Sequence, residues 1–259
     1  MKRREFLGAS LIAVAASPVR AAVPKPFRAS LIGGTPMDDL LIAGIAITMD
    51  PGWKTYWRMP GEAGIPPDFD WKRSKNAAHI EVLFPAPHRY IDAAGEGVGY
   101  KDNVVFPVRV RPHDPAAPVE LNLDMFFAVC RDVCIPAQTH AGLTLGLSTP
   151  VPRESEAIAQ ALGEIPQSGG PEVVTSATLA DRDGRPALVL GLAKDAIASV
   201  TDVFVETDTA AYFRAPRPDG TGLVLPVDGL KSPAGLRGKV LTLTITRSAG
   251  ALEQRVTVD

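Results

Sequence analysis

Apolar and polar positions alternate in short runs through most of this chain, the period of strands rather than helices. The clearest run is Val119 to Val129. There Val119, Leu121, Leu123, Met125, Phe127 and Val129 share one face, and Glu120, Asn122, Asp124, Phe126 and Ala128 share the other. Further strands are predicted over residues 40–49, 80–84, 104–110 and 143–147. The period then changes. Within residues 150–163, Ala157, Ile158, Ala161 and Leu162 form the stripe of a short helix that Ile165-Pro166 ends. Gln167-Ser168-Gly169-Gly170-Pro171 reads as a linker. Strand patterning returns at 173–179, 187–192, 200–206, 222–227, 240–246 and 255–258, with Asp183-Gly184 as a hairpin signal between the first two. The pattern predicts an all-β chain in two units, residues 24–148 and a second small β-sandwich over 171–259, joined by a helical linker at 149–170. No repeat relates the halves.

Composition supports the strand reading, since 23 glycines and 24 prolines punctuate many short β-branched runs. A net charge of −2 argues against nucleic acid as a partner. The chain begins Met1-Lys2-Arg3-Arg4-Glu5-Phe6-Leu7, continues through an apolar run from Ala9 to Ala16, and reaches Ser17-Pro18-Val19-Arg20-Ala21. A charged start, a short apolar core and small residues at a cleavage position predict a signal peptide over residues 1–21. Arg3-Arg4-x-Phe6-Leu7 has the twin-arginine form, which predicts export to a bacterial periplasm. No later stretch reaches 18 uninterrupted apolar residues, so the mature chain is expected to be soluble.

Export changes the meaning of the only two cysteines, Cys130 and Cys134. Outside the cytoplasm, two close thiols with no competing partner tend to pair. Four residues of extended strand span about 13 Å, whereas a disulfide needs Cα atoms roughly 4.4–6.8 Å apart, so the segment must fold back. Closing so short a loop is worth about 2 kcal/mol, against about 4.7 for a loop of a hundred residues. The small gain leans the pair toward redox function, with a structural staple as the other reading. Alternation along the strand puts Cys130 on the less apolar face at the strand's end, a position reachable from outside. Arg131 beside it favours a thiolate and Asp132 opposes one.

Other groups offer less. Cys130, Cys134, His88 and His140 share one unit and invite a copper or zinc reading, but a Cys-x3-Cys pair without fixed histidine spacing is a poor metal signature. His79 and His113 flank polar loops. Trp53, Tyr56 and Trp57 suit either a docking face or sandwich packing, and Gly61 and Gly64 mark a structured loop. Asp50, Glu62, Asp68 and Asp70 read as loop solvation. There is no Ser/His/Asp order and no phosphate-binding glycine loop, and no cofactor is expected.

Four ordered motifs carry a resemblance: Gly52-Trp53-Lys54-Thr55-Tyr56-Trp57-Arg58-Met59-Pro60-Gly61-Glu62-Ala63-Gly64-Ile65-Pro66-Pro67; Phe84-Pro85-Ala86-Pro87-His88-Arg89-Tyr90; Gly99-Tyr100-Lys101-Asp102-Asn103-Val104-Val105-Phe106-Pro107-Val108; and Val129-Cys130-Arg131-Asp132-Val133-Cys134-Ile135-Pro136. From Leu40 to Leu147 the chain resembles the periplasmic amino-terminal domain of the DsbD/ScsB thiol:disulfide interchange family. Residues 171–259 are similar to the additional β region of the longer ScsB-type members. The resemblance implies an immunoglobulin-like sandwich in which Cys130 and Cys134 shuttle between dithiol and disulfide, with Cys134 engaging partners. It places Tyr56 and Tyr100 near the pair, and Tyr90 at the start of a cap stretch, Tyr90-Ile91-Asp92-Ala93-Ala94-Gly95, that has alanines near the cap position. The implied partners are a periplasmic thioredoxin-like protein and, because the chain ends at Asp259, a separate membrane electron donor. Systems of this kind are associated with copper stress. The other functional readings are a non-catalytic binding module with a structural disulfide, and a copper or zinc carrier.

Overall fold

The computed structural model describes residues 25–259 apart from 63, 93–94, 147–150, 183, 195 and 231–232. The predicted signal peptide, Ala93 and Ala94 of the cap stretch, Asp183 of the hairpin signal and Leu147 at a predicted strand end lie outside the described residues.

The first half holds ten strands: β1 (Phe27–Gly33), β2 (Leu41–Met49), β3 (Lys54–Gly61), β4 (Asp68–Asp70), β5 (Ala77–Val82), β6 (His88–Asp92), β7 (Gly95–Lys101), β8 (Asn103–Pro112), β9 (Val119–Cys130) and β10 (Cys134–Leu145). One sheet is ordered β1-β2-β8-β5 and the other β10-β9-β3-β7-β6, with β4 also on β9. They face each other as an immunoglobulin-like sandwich. The alternation in β9 explains the packing: Val119, Leu121, Leu123, Met125, Phe127 and Val129 are all buried, while Phe126 on the other face is exposed. Together with Ile45, Ile47, Trp57, Phe106 and Val108 they fill the space between the sheets. Each such large side chain contributes roughly 1.5–3 kcal/mol on burial.

The helix is α1 (Pro152–Gly163). Its buried Ile158 lies over Gly44 of β2, where a Cβ would sit 2.9 Å from the isoleucine side chain. This covering helix explains why β2 reads as a nearly continuous apolar run rather than an alternating one.

The second half holds β11 (Gln167–Ser168), β12 (Val174–Arg182), β13 (Arg185–Leu192), β14 (Val200–Glu206), β15 (Tyr212–Phe213), β16 (Arg217–Asp219), β17 (Gly222–Asp228), β18 (Val240–Arg247) and β19 (Gly250–Thr257). These form sheets β11-β19-β18-β14 and β12-β13-β17-β15, with β16 on β17. Leu188, Leu190, Leu225, Leu241, Leu243 and Ile245 are among the side chains buried between them. The segment expected to be a plain linker supplies β11, which pairs parallel to β19. β12 and β13 pair antiparallel as far as Arg182 with Arg185.

Several strands escape the periodicity reading. β1, β3, β6 and β7 are rich in Gly, Pro, aromatic or charged residues, and β10 runs from Cys134 rather than from 143. β10 is an edge strand with Pro136 near its start, so among the described residues one flank has no partner strand and its apolar signal is thin.

Candidate functional site

Cys130 ends β9 and Cys134 begins β10, and the register of that hairpin sets the two directly opposite each other. They form a disulfide, with Cα atoms 4.1 Å apart. Arg131, Asp132 and Val133 make the tip. The Arg131 guanidinium bonds to the Asp132 carboxylate at 3.0 Å and lies 5.5 Å from the Trp53 ring, so both charges are occupied with each other at the surface. Val133 stands 70% exposed at the tip.

Beside the tip runs β3, where Lys54 pairs with Cys130 and Thr55 with Val129. The buried Thr55 hydroxyl donates to the Ala128 carbonyl at 2.9 Å and pins β3 to β9. Tyr56, next along, puts its hydroxyl 3.0 Å from Cys130 Sγ and 3.2 Å from Cys134 Sγ. Tyr56, Ala128 and Cys130 form a small buried cluster with Ile65, Tyr90 and Cys134 packed against it, distinct from the main core. The Tyr56 and Tyr90 ring centroids are 6.5 Å apart, and Lys54 Nζ lies 4.4 Å from the centre of the Tyr90 ring.

The rings fit because two glycines make room. A Cβ on Gly64 would lie 2.6 Å from the Tyr56 ring, and one on Gly97 would lie 2.4 Å from the Tyr90 ring. Ala128, fully buried, adds a short side chain to the same cluster.

The geometry corrects two expectations. Cys130 is on the face that alternation assigns to it, but it is only 3% exposed, because Tyr56, Tyr90 and Ile65 cover it; Cys134 is the half-buried, more accessible sulfur. Tyr100 does not join the disulfide. Its ring packs edge-on against Phe106 at 5.3 Å in the main core, and its hydroxyl donates to the Pro85 carbonyl at 2.8 Å. Burial pushes the Tyr100 hydroxyl well above the ordinary tyrosine range. Among the described residues no three His, Cys, Asp or Glu side chains converge as metal ligands, so Cys130, Cys134, His88 and His140 do not make a shared site. His140 instead pairs with Asp124 across β9 and β10. Sequence reasoning does not single out Lys54, Ile65 or Ala128; the nearest clue is the pair of glycines, Gly64 and Gly97, that admit the rings.

A second feature adjoins the cluster. Arg89 precedes Tyr90 on β6 and is 7% exposed in its side chain. It bonds Asp202 of β14 at 3.0 Å, the Val203 and Phe213 carbonyls at 3.0 and 3.1 Å, the Tyr212 hydroxyl at 3.3 Å, and Glu96 of β7 at 2.5 Å. Tyr212 in turn donates to Glu96 at 2.7 Å, and burial with this contact pushes the Tyr212 hydroxyl up. Arg58, carried on an irregular stretch of β3, pairs with Glu206 at 2.6 Å, and its neighbour Trp57 packs on Phe204.

No helix among the described residues is long and apolar enough to cross a membrane. A comparison with curated proteins found no match. Among solved structures, the chain is similar to the N-terminal periplasmic domain of ScsB from Proteus mirabilis, with a TM-score of 0.64 and 23% identity, covering 89% of this chain and 92% of that one. That likeness extends the shared fold through the second sandwich. Residues 27–145 match the family model described as thiol:disulfide interchange protein DsbD, N-terminal. The segment that builds the first sandwich and holds the disulfide therefore belongs to the family of DsbD amino-terminal domains.

Proposed function

We propose that this chain is a periplasmic thiol:disulfide exchange protein working through Cys130 and Cys134 with thioredoxin-like partners. The observation that carries the reading is the disulfide at a hairpin tip, with one tyrosine hydroxyl against both sulfurs, inside a segment of a family of interchange modules.

In the reduced chain, the Cys134 thiolate attacks a sulfur of the partner's disulfide. A Cys134–partner bond forms, and the partner's other sulfur leaves as a thiolate. The Cys130 thiolate then attacks Cys134 Sγ, the internal disulfide forms, and the partner's second sulfur leaves. Two electrons pass to the partner, whose two thiolates take protons from solvent. A separate membrane donor restores the dithiol by the same steps in reverse. Cys134 engages first because it is the more accessible sulfur, and Cys130 resolves from beneath the cover. The Tyr56 hydroxyl is within reach of either sulfur and donates to whichever carries charge. Delivery to the periplasm through the twin-arginine signal of residues 1–21 belongs to the same proposal.

The test is the reduction potential of the mature protein across a glutathione and dithiothreitol ladder. A midpoint between about −270 and −180 mV is expected, and one well below about −300 mV would make the pair a staple. Cys130→Ser, which keeps the attacking thiol, is expected to accumulate a mixed disulfide with a thioredoxin-like partner, and Cys134→Ser is not. A chain lacking both cysteines is expected to fail to complement a deletion under copper and oxidative stress.

A further inference from the structure

Two segments lie over the disulfide, and both are tied to the second sandwich. The first is β6. Arg89 and Tyr90 are consecutive on it, so their side chains point to opposite faces. Tyr90 packs on the cysteine cluster and Arg89 reaches Asp202, Val203, Tyr212 and Phe213 on the other side. The second is the stretch after β3. Ile65 packs on the cluster, and Glu62, three residues earlier, accepts from Arg214 at 3.2 Å.

Among the described residues β6 is the last strand of its sheet and pairs only with β7. An edge strand held on one side opens at low cost. Here its outward side is fixed by a buried arginine whose donors are all engaged, and breaking such a network leaves charges unpaired away from water. Uncovering Cys130 by lifting β6 therefore requires Arg89 to leave Asp202.

We propose that residues 171–259 act as a brace holding the cover over Cys130 closed, with Arg89 as the positioning residue, so that contacts between the sandwiches set how fast the pair reacts. The biological use of this brace rests on the exchange reading above, while its test does not. The brace acts on access to both redox states, so it changes rates in both directions and leaves the potential where it is.

The experiment uses the full mature chain. It compares the wild type with Asp202→Asn for the rate of disulfide reduction by dithiothreitol and the rate of Cys130 alkylation by iodoacetamide after reduction. Weakening one charge-assisted bond of the brace is expected to raise both rates about tenfold at unchanged potential. A folded Asp202→Asn protein with rates within about twofold of the wild type overturns the proposal. If Asp202→Asn does not fold, Tyr212→Phe removes only hydroxyl contacts to Glu96 and Arg89. It is expected to raise both rates about threefold, and unchanged rates overturn the brace. Leu188→Val, in the second core away from the network, separates access from general loosening: it lowers the melting temperature and leaves both rates alone. A potential as low as that of a structural disulfide, with brace effects intact, would sink the exchange reading alone. Unchanged rates at a working potential would sink the brace alone.

Discussion

At the scale of single residues, Tyr56 and Tyr100 show how the same side chain takes opposite roles one strand apart. They sit on neighbouring strands, β3 and β7, where Thr55 pairs with Tyr100 and Tyr56 with Gly99. The one-residue offset turns the two rings to opposite faces of the sheet. Tyr56 therefore meets the sulfurs and Tyr100 enters the core. On the exchange reading proposed above, the Tyr56 hydroxyl stabilises a thiolate in the reduced protein, a bond worth about 1 kcal/mol. Tyr56→Phe is expected to slow alkylation of the reduced pair at neutral pH by roughly threefold to tenfold, measured under pseudo-first-order conditions. An unchanged rate would remove Tyr56 from the chemistry. Tyr100 makes a different prediction. Its hydroxyl is held protonated above the value of about 10 it has in the unfolded chain. The fold therefore keeps this contribution in full below that pH and loses it as pH climbs beyond it. Tyr100→Phe is expected to cost about 1–3 kcal/mol at neutral pH, because the Pro85 carbonyl loses its donor, yet to shrink the loss of stability between pH 10 and 12. Urea titrations at both pH values check this. The cysteine pair and Tyr56 are legible in the sequence, whereas the facing of Tyr100 depends on a register that no local pattern encodes.

At the scale of elements, the β9–β10 hairpin and the β6–β7 hairpin divide the labour. The first is built from strong local signals, an alternating strand that ends in Cys130, and the sequence discloses it except for the length of β10. The second leaves no such trace. Gly95, Gly97 and Gly99 recur along β7, and glycine weakens a strand when counted by propensity alone. The structure shows what those glycines admit: a Cβ at Gly97 would strike the Tyr90 ring, and one at Gly99 would lie 2.0 Å from the Thr55 carbonyl oxygen. The spacing is a packing requirement between strands, so it is invisible until the strands are paired. Gly97→Ala is expected to push Tyr90 off the cluster, destabilise the protein by about 1–3 kcal/mol and speed reduction of the disulfide by dithiothreitol. Unchanged reduction kinetics would show that Tyr90 does not govern access. The disulfide itself adds little to the hairpin. Replacing both cysteines with serine is expected to cost about 2 kcal/mol, the worth of so short a loop, and to leave the sandwich folded. Global unfolding of that variant in circular dichroism would support the staple instead.

At the scale of the whole molecule, the two sandwiches meet through charge more than through a shared apolar core. Among the described residues Phe204 is the one of the second half buried with the first core, and at the joint stand Arg58 with Glu206, Arg89 with Asp202 and Glu96, and Arg214 with Glu62. Periodicity reads cores, and this is why the sequence shows two units but not the joint between them. Arg89 is decisive there because its side chain is nearly inaccessible, so its pairs are screened far less by water and salt than the exposed ones. Removing it leaves Asp202 and Glu96 without their cation, a change that typically costs about 3–5 kcal/mol when a buried pair is broken. That cost falls on the interface, since neither apolar core contains Arg89. The two sandwiches of the wild type are expected to unfold together, and those of Arg89→Ala separately. The chain supplies its own probes for this. All three tryptophans, Trp53, Trp57 and Trp71, lie in the first half, so tryptophan fluorescence follows that half while far-ultraviolet circular dichroism follows both. In urea the two signals are expected to coincide for the wild type and to diverge for Arg89→Ala, the standard mark of lost cooperativity. Coincident transitions in Arg89→Ala would mean that the remaining pairs at Arg58 and Arg214 suffice to couple the sandwiches, and Arg89 would then serve the disulfide cover locally rather than the molecule as a whole.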